Sequence, residues 1–300
     1  MGNTIVNILR KPTLLFLTLG HRGVFNWLSD EKYLKIAFRI KMGKSLNLDK
    51  PQTYNEKLQW LKLHDRKEIY TRWVDKYEAK QMAARMIGDE YIIPTLGVYN
   101  HFDEINFEEL PDQFVLKCTH DSGGLIICKN KDLMDIEAAK KKLENCLKHN
   151  FFWGQREWPY KNVKPRVIAE EYMEDTITKE LRDYKFFTFN GEVKALFIAT
   201  ERGSKEETKF DFFDAEGNLL PFTNGHPHAS PTPELPTCFE KMKELASMLG
   251  KDIPQVRVDF YEVNGKIYFG EMTFFHWSGL IPFVPEQWDY TFGEWIKLPK

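Results

Sequence analysis

Apolar side chains recur every three to four positions in the first third of the chain, a spacing that predicts helices. The pattern runs through residues 27–38 and stops at Gly43, a residue type that interrupts helices. Thr53 lies three residues before Glu56, a capping-box arrangement that predicts the start of another amphipathic helix. A further helix is predicted over roughly residues 74–86. The chain is therefore expected to begin with a mainly helical region.

From about residue 112 the pattern changes to short apolar runs separated by turn residues, as in β-strands. Two amphipathic helices are predicted among them, over residues 132–149 and 238–249. The dipeptide Asn-Gly, a strong signal for a two-residue hairpin turn, occurs at 190–191 and 264–265. The predicted strands and hairpin are EYIIPTLGVY, FVLKCTH, LIIC, VIAEEYM, DYKFFTF, EVKALFIATER and RVDFYEVNGKIYFGEMTF. We therefore predict an α+β fold with antiparallel sheets.

A two-residue turn at 190–191 would sort the side chains of the first hairpin onto two faces. The core face would hold Tyr184, Phe186, Val193, Ala195, Phe197 and Ala199. The other would hold Asp183, Lys185, Lys194, Thr200 and Arg202, mixed with Phe187, Phe189, Leu196 and Ile198. The cations of this second face could balance phosphate charge in a cleft, or the face could be exposed and carry a few salt bridges.

The last hairpin places charged side chains on strands that are otherwise apolar. Arg257 and Asp259 share a face of one strand, and Glu271 and Thr273 share a face of the other. A strict two-residue turn would pair Asp259 with Gly270 and send Glu271 to the opposite face. A three-residue loop or a bulge would bring the carboxylates together. We predict this second geometry, which suits Mg²⁺ beside a triphosphate, with solvated strand charges as the alternative.

Two further segments carry candidate binding groups. Lys117 ends an apolar strand and precedes the glycine-containing turn at 120–124, which could donate backbone N–H groups to phosphates. Glu170 and Glu171 close another apolar strand, where consecutive carboxylates are costly unless they are paired or line a cleft. Lys76, on a predicted helix, is by position alone an ordinary exposed lysine.

Composition narrows the class of protein. A chain of 300 residues with 42% hydrophobic and 29% charged residues can form a large core, and two lobes are expected. Its 42 basic and 44 acidic residues include no basic block, so nucleic acid is not expected as a partner. The four cysteines lack metal-site spacing and suit a reducing compartment. The apolar stretch 14–19 is too short to cross a bilayer, although an interfacial helix remains open.

Several familiar sites are excluded because GxGxxG, GxxxxGK[ST], HExxH and GxSxG are all absent. Six ordered segments nevertheless resemble the ATP-grasp superfamily, and more narrowly its TupA-like branch, named for teichuronopeptide biosynthesis. They are DK (75–76), FVLKCTHDSGG (114–124), VIAEEYM (167–173), DYKFF (183–187), RVDFY (257–261) and GEMTF (270–274), and the likeness continues upstream through LNLDKPQTYNEKLQWLKLHDR. The resemblance implies a two-lobed ATP-grasp fold. We expect a helical region at 1–72 and lobes at 73–172 and 173–300.

The resemblance also implies ATP and Mg²⁺ as cofactors, and it suggests which residues hold them. For the nucleotide these are Lys76 and Lys117 at the phosphates, Ser122, Gly123 and Gly124 in the phosphate loop, Glu170, Glu171, Tyr172 and Met173 at the adenine, and Asp183 at the ribose. Asp259 and Glu271 would be magnesium ligands. Thr273 stands where many relatives have asparagine, so its hydroxyl would ligate the metal or hold a water, and one or two ions remain possible.

Arg257 resembles the arginine that stabilises an acyl phosphate or tetrahedral intermediate. Lys185 and Arg202 are proposed from the hairpin geometry as further phosphate or acyl-phosphate contacts. The implied activity is a cytoplasmic carboxylate–amine ligase of capsular or cell-wall polysaccharide synthesis, either free or at the inner membrane face. Its substrates would be a small or lipid-linked saccharide carboxylate, such as a uronic acid, and an amine or amino acid. A kinase or glycosyltransferase of the same pathway, or a non-catalytic ATP-binding scaffold, are the alternatives.

Overall fold

The computed structural model describes residues 12–176, 181–201 and 207–299. Within these segments five helices precede the first strand, and the others lie among the strands or after the last one. They are α1 (Pro12–His21), α2 (Asp30–Met42), α3 (Tyr54–His64), α4 (Glu68–Val74), α5 (Lys76–Ile87), α6 (Ile136–Leu147), α7 (Phe152–Gln155), α8 (Phe239–Leu249) and α9 (Gln287–Trp295). The predicted helical entry region is confirmed.

The strands form two larger antiparallel sheets and a short two-stranded one. They are β1 (Thr95–Tyr99), β2 (Phe114–Cys118), β3 (Leu125–Cys128), β4 (Val167–Glu171), β5 (Asp183–Phe189), β6 (Glu192–Thr200), β7 (Lys209–Asp214), β8 (Thr223–Asn224), β9 (Val256–Val263), β10 (Lys266–Thr273) and β11 (Phe283–Val284). The first sheet has the order β1-β4-β2-β3, the second β10-β9-β5-β6-β7, and β11 pairs with β8. The α+β prediction is confirmed.

Local signals fix several helix boundaries. Thr53 and Glu56 form the predicted capping box at the start of α3, an arrangement that stabilises a helix by about 1 kcal/mol. Gly43 ends α2 with a φ of 71°, a left-handed conformation that glycine adopts without strain. The helix predicted from residue 74 begins instead at Lys76, because the Asp75 side chain accepts the backbone N–H groups of the first turn. Strand β7 and helix α9 were not predicted.

The five-stranded sheet has one face packed on helices and another that turns toward a cleft. On the packed face, Phe186 stacks on Phe239 of α8, with ring centroids 6.1 Å apart. On the cleft face, Phe187 packs edge-on against Tyr54 of α3 and Phe292 of α9, at 6.3 and 5.4 Å. These aromatic contacts close one end of the cleft face and leave the end near Asp183 for the site described below.

Both Asn-Gly hairpins contain a β-bulge that resets the register. In the last hairpin, Phe269 pairs with Phe260 but Glu271 pairs with Asp259, so that Gly270 is an extra residue in β10. The turn has two residues, Asn264 and Gly265 with positive φ, and the bulge restores the carboxylate pairing. The predicted convergence of the two carboxylates is confirmed.

The face assignment predicted for the first hairpin is wrong for much of β6. Phe187 pairs with Ala195 and Thr188 with Val193, which leaves Lys194 as the extra residue of a bulge. Beyond it every β6 residue is displaced by one position and turns to the other face. Phe197 and Ala199, which were expected in the core face, therefore lie on the cleft face with Lys185 and Asp183, while Leu196 and Ile198 lie on the packed face.

Among the described helices, none combines the length and the apolar character needed to span a bilayer.

Candidate functional site

Strands β5 and β9 bring four charged side chains together on the cleft face. Lys185 pairs with Asp259 in the register, and Asp183 pairs with Tyr261. The Lys185 ammonium forms an ion pair with Asp259, and its Nζ lies 3.3 Å from Asp183 Oδ1. Asp259 is fully buried, and Lys185 and Arg257 are 8% exposed. A buried charge is costly unless it is paired, and the pairing explains how the sheet accommodates this cluster.

Arg257 holds the cluster together through its whole guanidinium group. Its Nε and Nη2 donate to the two carboxylate oxygens of Asp259, each at 2.7 Å, in a bidentate pair. Nη2 also donates to Thr273 Oγ1 at 2.9 Å and lies 3.6 Å from Glu271 Oε1. Nη1 donates to His276 Nδ1 at 2.8 Å. The arginine is therefore fixed in one orientation beside both carboxylates.

His276 is a candidate site residue that the sequence analysis did not single out. Because arginine can only donate, Nδ1 of His276 accepts from Arg257, and Nε2 then donates to Asn224 Oδ1 at 3.0 Å. Asn224 in turn donates to the carbonyl oxygens of Ile281 and Pro282. Burial, together with the charges of Arg257 and Lys185, lowers the pKa of His276 well below its ordinary value. A neutral imidazole is what this hydrogen-bond chain requires.

The charges of the cluster set the protonation of Asp259. Burial alone would raise the pKa of this carboxyl, but Arg257 and Lys185 outweigh burial and lower it. Asp259 is therefore ionised at neutral pH. Burial lowers the pKa of Lys185, a shift that Asp259 partly offsets.

The candidate magnesium ligands differ in how they are engaged. Both oxygens of Asp259 are bound by cationic groups, whereas the Glu271 side chain is 44% exposed. Thr273 Oγ1 donates to Glu271 Oε1 only at 3.5 Å, a weak contact. Carboxylate and hydroxyl oxygens are ligands that suit the hard Mg²⁺ ion. The chemistry of the donor set fits magnesium, with Glu271 as its most accessible member.

A second charged group lies on the four-stranded sheet. Glu170 of β4 is buried and accepts from Lys80 Nζ at 2.7 Å, while its other oxygen lies 2.5 Å from Lys117 Nζ. Burial raises the pKa of Glu170, but the two lysines outweigh it and lower the pKa to about 2. The sequence analysis did not single out Lys80. It lies four residues after Lys76 on α5, and this spacing, which puts both lysines on one face of the helix, was the available signal.

Lys76 contacts the candidate phosphate loop directly. Its ammonium donates to the Asp121 carbonyl oxygen, and its backbone N–H donates to Thr119 at 3.0 Å. The Asp121 carboxylate accepts from the backbone N–H of Gly124 at 3.1 Å, which shapes the turn. Ser122 and Gly123 are exposed at its tip.

A cavity of about 420 Å³ lies between the two sheets. Apolar side chains from both sheets line it, including Val115, Ile127 and Ala199, with Lys117 among the polar groups. The hinge candidates Glu170, Glu171, Tyr172 and Met173 all line it as well. Asp183 is flanked in the sheet by two lining residues, because it pairs with Ala199 and Tyr261. The cavity therefore borders the cluster around Lys185.

The sequence-predicted residues thus fall into three neighbouring groups. Around Arg257 stand Asp183, Lys185, Asp259, Glu271 and Thr273; at the cavity stand Lys117, Glu170, Glu171, Tyr172 and Met173; at the turn stand Lys76, Ser122, Gly123 and Gly124. Arg202 lies outside the described residues. The roles of all these residues stay predictions.

Comparisons with known proteins were made on the sequence and on the fold. A family model described as TupA-like ATPgrasp matches residues 56–297. No curated protein matches the chain by sequence.

Among solved structures, the chain is similar to a D-alanine–D-alanine ligase from Bacillus anthracis complexed with ATP (17% identity, 67% of this chain and 54% of that one, TM-score 0.40). It is also similar to the ATP-grasp ligase PsnB complexed with a phosphomimetic variant of its minimal precursor, Mg and ADP (9% identity, 73% and 57%, TM-score 0.42). A third is a D-alanine–D-alanine ligase from Helicobacter pylori (14% identity, 83% and 68%, TM-score 0.42). The chain spans little more than half the length of the first two.

Proposed function

The chain belongs to the TupA-like ATP-grasp family, and from this premise we propose that it is an ATP- and Mg²⁺-dependent carboxylate–amine ligase. One observation carries the proposal. Arg257, Asp259 and Glu271 converge on the same sheet face that borders a cavity of about 420 Å³. A cationic side chain and two carboxylates therefore lie next to a cavity large enough for a nucleotide. The activation of a carboxylate by ATP requires this combination.

The adenine is assigned to the apolar part of the cavity, between Ile127 of the first sheet and Ala199 of the second. Backbone groups at Tyr172 and Met173 would hold its polar edge, and Asp183 would accept from the ribose. The phosphates would then extend toward Lys117 and the turn anchored by Lys76. Lys117 is 2.5 Å from Glu170, so its ammonium is already held at the cavity wall.

Magnesium would be held by Asp259 and Glu271, with Thr273 as an additional ligand or as the holder of a bound water. The ion supplies neutralisation of the phosphate charge when it is bound. Lys185 and Arg257 are paired with Asp259 and keep that carboxylate ionised, which is the charge state that a metal ligand needs. Arg202 is proposed as a further cationic contact.

The reaction begins with attack of a substrate carboxylate oxygen on the γ-phosphorus of ATP, which forms an acyl phosphate and breaks the bond to ADP. An amine then attacks the acyl carbon, loses a proton and expels inorganic phosphate, leaving an amide. Arg257 would stabilise the negative oxygen that develops in both steps, because its guanidinium group is fixed beside the carboxylates. Closure of the lobes, 73–172 and 173–300, would exclude water from the activated intermediate.

The carboxylate substrate is proposed to be a uronic acid of a capsular or cell-wall polysaccharide precursor, free or lipid-linked, and the amine an amino acid. We place the reaction in the cytoplasm, either free or at the inner face of the membrane. This part rests on the name of the family, which refers to teichuronopeptide synthesis.

A phosphate-release screen tests the proposal. Uronic acids are combined with amino acids in the presence of ATP and Mg²⁺, and each component is left out in turn. A ligase releases phosphate only with both acid and amine, whereas a kinase needs no amine and yields ADP with a phosphorylated product. A requirement for a sugar nucleotide would identify a glycosyltransferase, and binding of ATP without turnover on any pair would favour a scaffold.

A further inference from the structure

Trp277 is 40% exposed although it belongs to an aromatic cluster beside the candidate site. Its ring stacks on Phe210 of β7, at 6.0 Å between centroids and 26° between planes. His226 packs near both rings, 4.6 Å from that of Phe210 and 5.7 Å from that of Trp277. The indole is thus packed against two other rings and remains partly open to solvent.

This open indole lies close to the catalytic arginine candidate. Phe210 pairs with Ala199, which places it on the same sheet face as Lys185. The His276 ring, which accepts from Arg257 at 2.8 Å, has its centroid 5.8 Å from that of Trp277. A group bound on the indole would therefore lie close to the imidazole that holds Arg257.

The backbone at this position is strained. Trp277 has φ 50° and ψ 25°, and Ser278 has φ 56° and ψ 16°, so two consecutive residues with side chains adopt the left-handed conformation. Such conformations are costly and persist only where surrounding contacts enforce them, commonly at ligand-binding sites. The strained backbone thus lowers the stability of the fold, and it fixes the orientation of the indole.

A buried polar network enforces the strained turn. Lys62 Nζ donates to the Ser278 carbonyl oxygen at 2.8 Å, and Gln59 Nε2 donates to the carbonyl oxygens of Ser278 and Gly279, both at 2.9 Å. The Ser278 hydroxyl donates to Glu157. Lys62 and Gln59 are fully buried. Burying a lysine costs free energy unless its ammonium group is hydrogen-bonded. Here three hydrogen bonds from Lys62 and Gln59 are accepted by the carbonyl oxygens of Ser278 and Gly279, the two residues after Trp277.

Gly225 lies against the edge of the Trp277 indole. A Cβ atom at this residue would lie 2.9 Å from Trp277 Nε1, and its φ is +86°. Only glycine combines this conformation with room for the indole edge.

We propose that the open face of Trp277 is the platform on which the pyranose ring of the carboxylate substrate stacks, so that its carboxylate reaches Arg257. The axial C–H bonds of a sugar pack on an aromatic face, while its hydroxyl groups point outward to water and polar side chains. An exposed, rigidly held indole next to a carboxylate-activating centre matches a cyclic sugar acid, and an acyclic acid gains less from it. The inference rests on the proposed function and names the residue that would bind the sugar ring of the carboxylate substrate proposed there.

Ligand-observed saturation-transfer NMR tests the stacking directly, without ATP or turnover. The probes are methyl β-D-glucuronide, whose H1, H3 and H5 lie on one ring face, and the acyclic sugar acid D-glucarate. Saturation is expected to be strongest at H1, H3 and H5 of the glucuronide. It should be lost in Trp277→Ala, retained in Trp277→Phe, and unchanged in Trp27→Ala, which removes a 78% exposed tryptophan elsewhere.

Kinetics supply the second readout. Trp277→Ala is expected to raise KM for the glucuronide by about 10-fold or more while kcat changes by less than about 3-fold, because stacking is uniform binding of the substrate. Trp277→Phe should restore most of the affinity. Equal saturation of both ring faces, or loss of kcat with an unchanged KM, would overturn the proposal.

The two proposals fail in different ways. Phosphate release with non-sugar acids, without saturation transfer to the glucuronide, would keep the ligase and refute the platform. Face-selective saturation that Trp277→Ala abolishes, without phosphate release on any acid and amine, would keep the platform and refute the ligase.

Discussion

Asp259 and Glu271 occupy directly opposed positions of the β9–β10 pair, yet only the first is buried. Asp259 has no exposed surface and accepts from Arg257 and Lys185, whereas the Glu271 side chain is 44% exposed. The two carboxylates therefore share a proposed metal-binding role but differ in their contribution to stability. Their substitution should separate binding from folding.

Glu271→Gln is expected to lower phosphate release at least about 100-fold at saturating ATP, because a magnesium ligand is removed. Its melting temperature should stay close to that of the original protein, since the group is half-exposed and weakly paired. Asp259→Asn should lose activity and also melt earlier, because Lys185 and Arg257 would be left buried without their counter-charge.

Thermal melts and phosphate release measure both effects, with Glu108→Gln as an exposed carboxylate control. Full activity in either site variant would remove the metal assignment.

Ala199→Phe tests the nucleotide cavity without altering a charge. Ala199 lines the 420 Å³ cavity and is 2% exposed, so a phenyl group would occupy space assigned to the adenine. Calorimetric titration should show ATP affinity reduced by about 10-fold or more. Ala215→Phe, in the turn after β7, is the control. Unchanged affinity in Ala199→Phe would place the nucleotide elsewhere.

His276→Phe should reduce turnover through the arginine that the imidazole holds. The variant leaves Arg257 Nη1 and Asn224 Oδ1 without these partners, and the guanidinium group can then shift. We expect kcat to fall by up to about 100-fold, with KM for ATP nearly unchanged, because the adenine cavity is not altered. His276→Gln, which can still accept and donate, should recover part of kcat. Equal losses in both variants would argue against a positioning role.

Because the pKa of Glu170 is lowered in the folded protein, we expect the free energy of unfolding to decrease at acid pH. Its folded pKa of about 2 is below the ordinary value of 4.5, so its contribution is present above pH 4.5 and is lost as the pH falls toward 2. The shift corresponds to about 3 kcal/mol at neutral pH. Urea unfolding of Glu170→Gln should show this loss at pH 7 and about half of it at pH 3. A difference that does not change with pH would contradict the pairing with Lys80 and Lys117.

The sequence by itself determined the elements that depend on local contacts. The capping box at Thr53, the Asn-Gly hairpin turns and the order of the charged strand residues all follow from interactions between near neighbours in the chain. The six ordered motifs also identified the family, because their residue types are set by a shared chemistry. These features needed no knowledge of how the sheets pack.

Only the tertiary structure decided the register of the strands and the long-range contacts of the site side chains. The extra residue Lys194 reversed the faces of β6, which a two-residue turn alone did not reveal, because a bulge depends on strand twist and packing. His276 and the strained Trp277 became site candidates only when distant segments met around Arg257. Contacts between residues far apart in sequence leave no periodic signal, and the substrate side of the site is built from them.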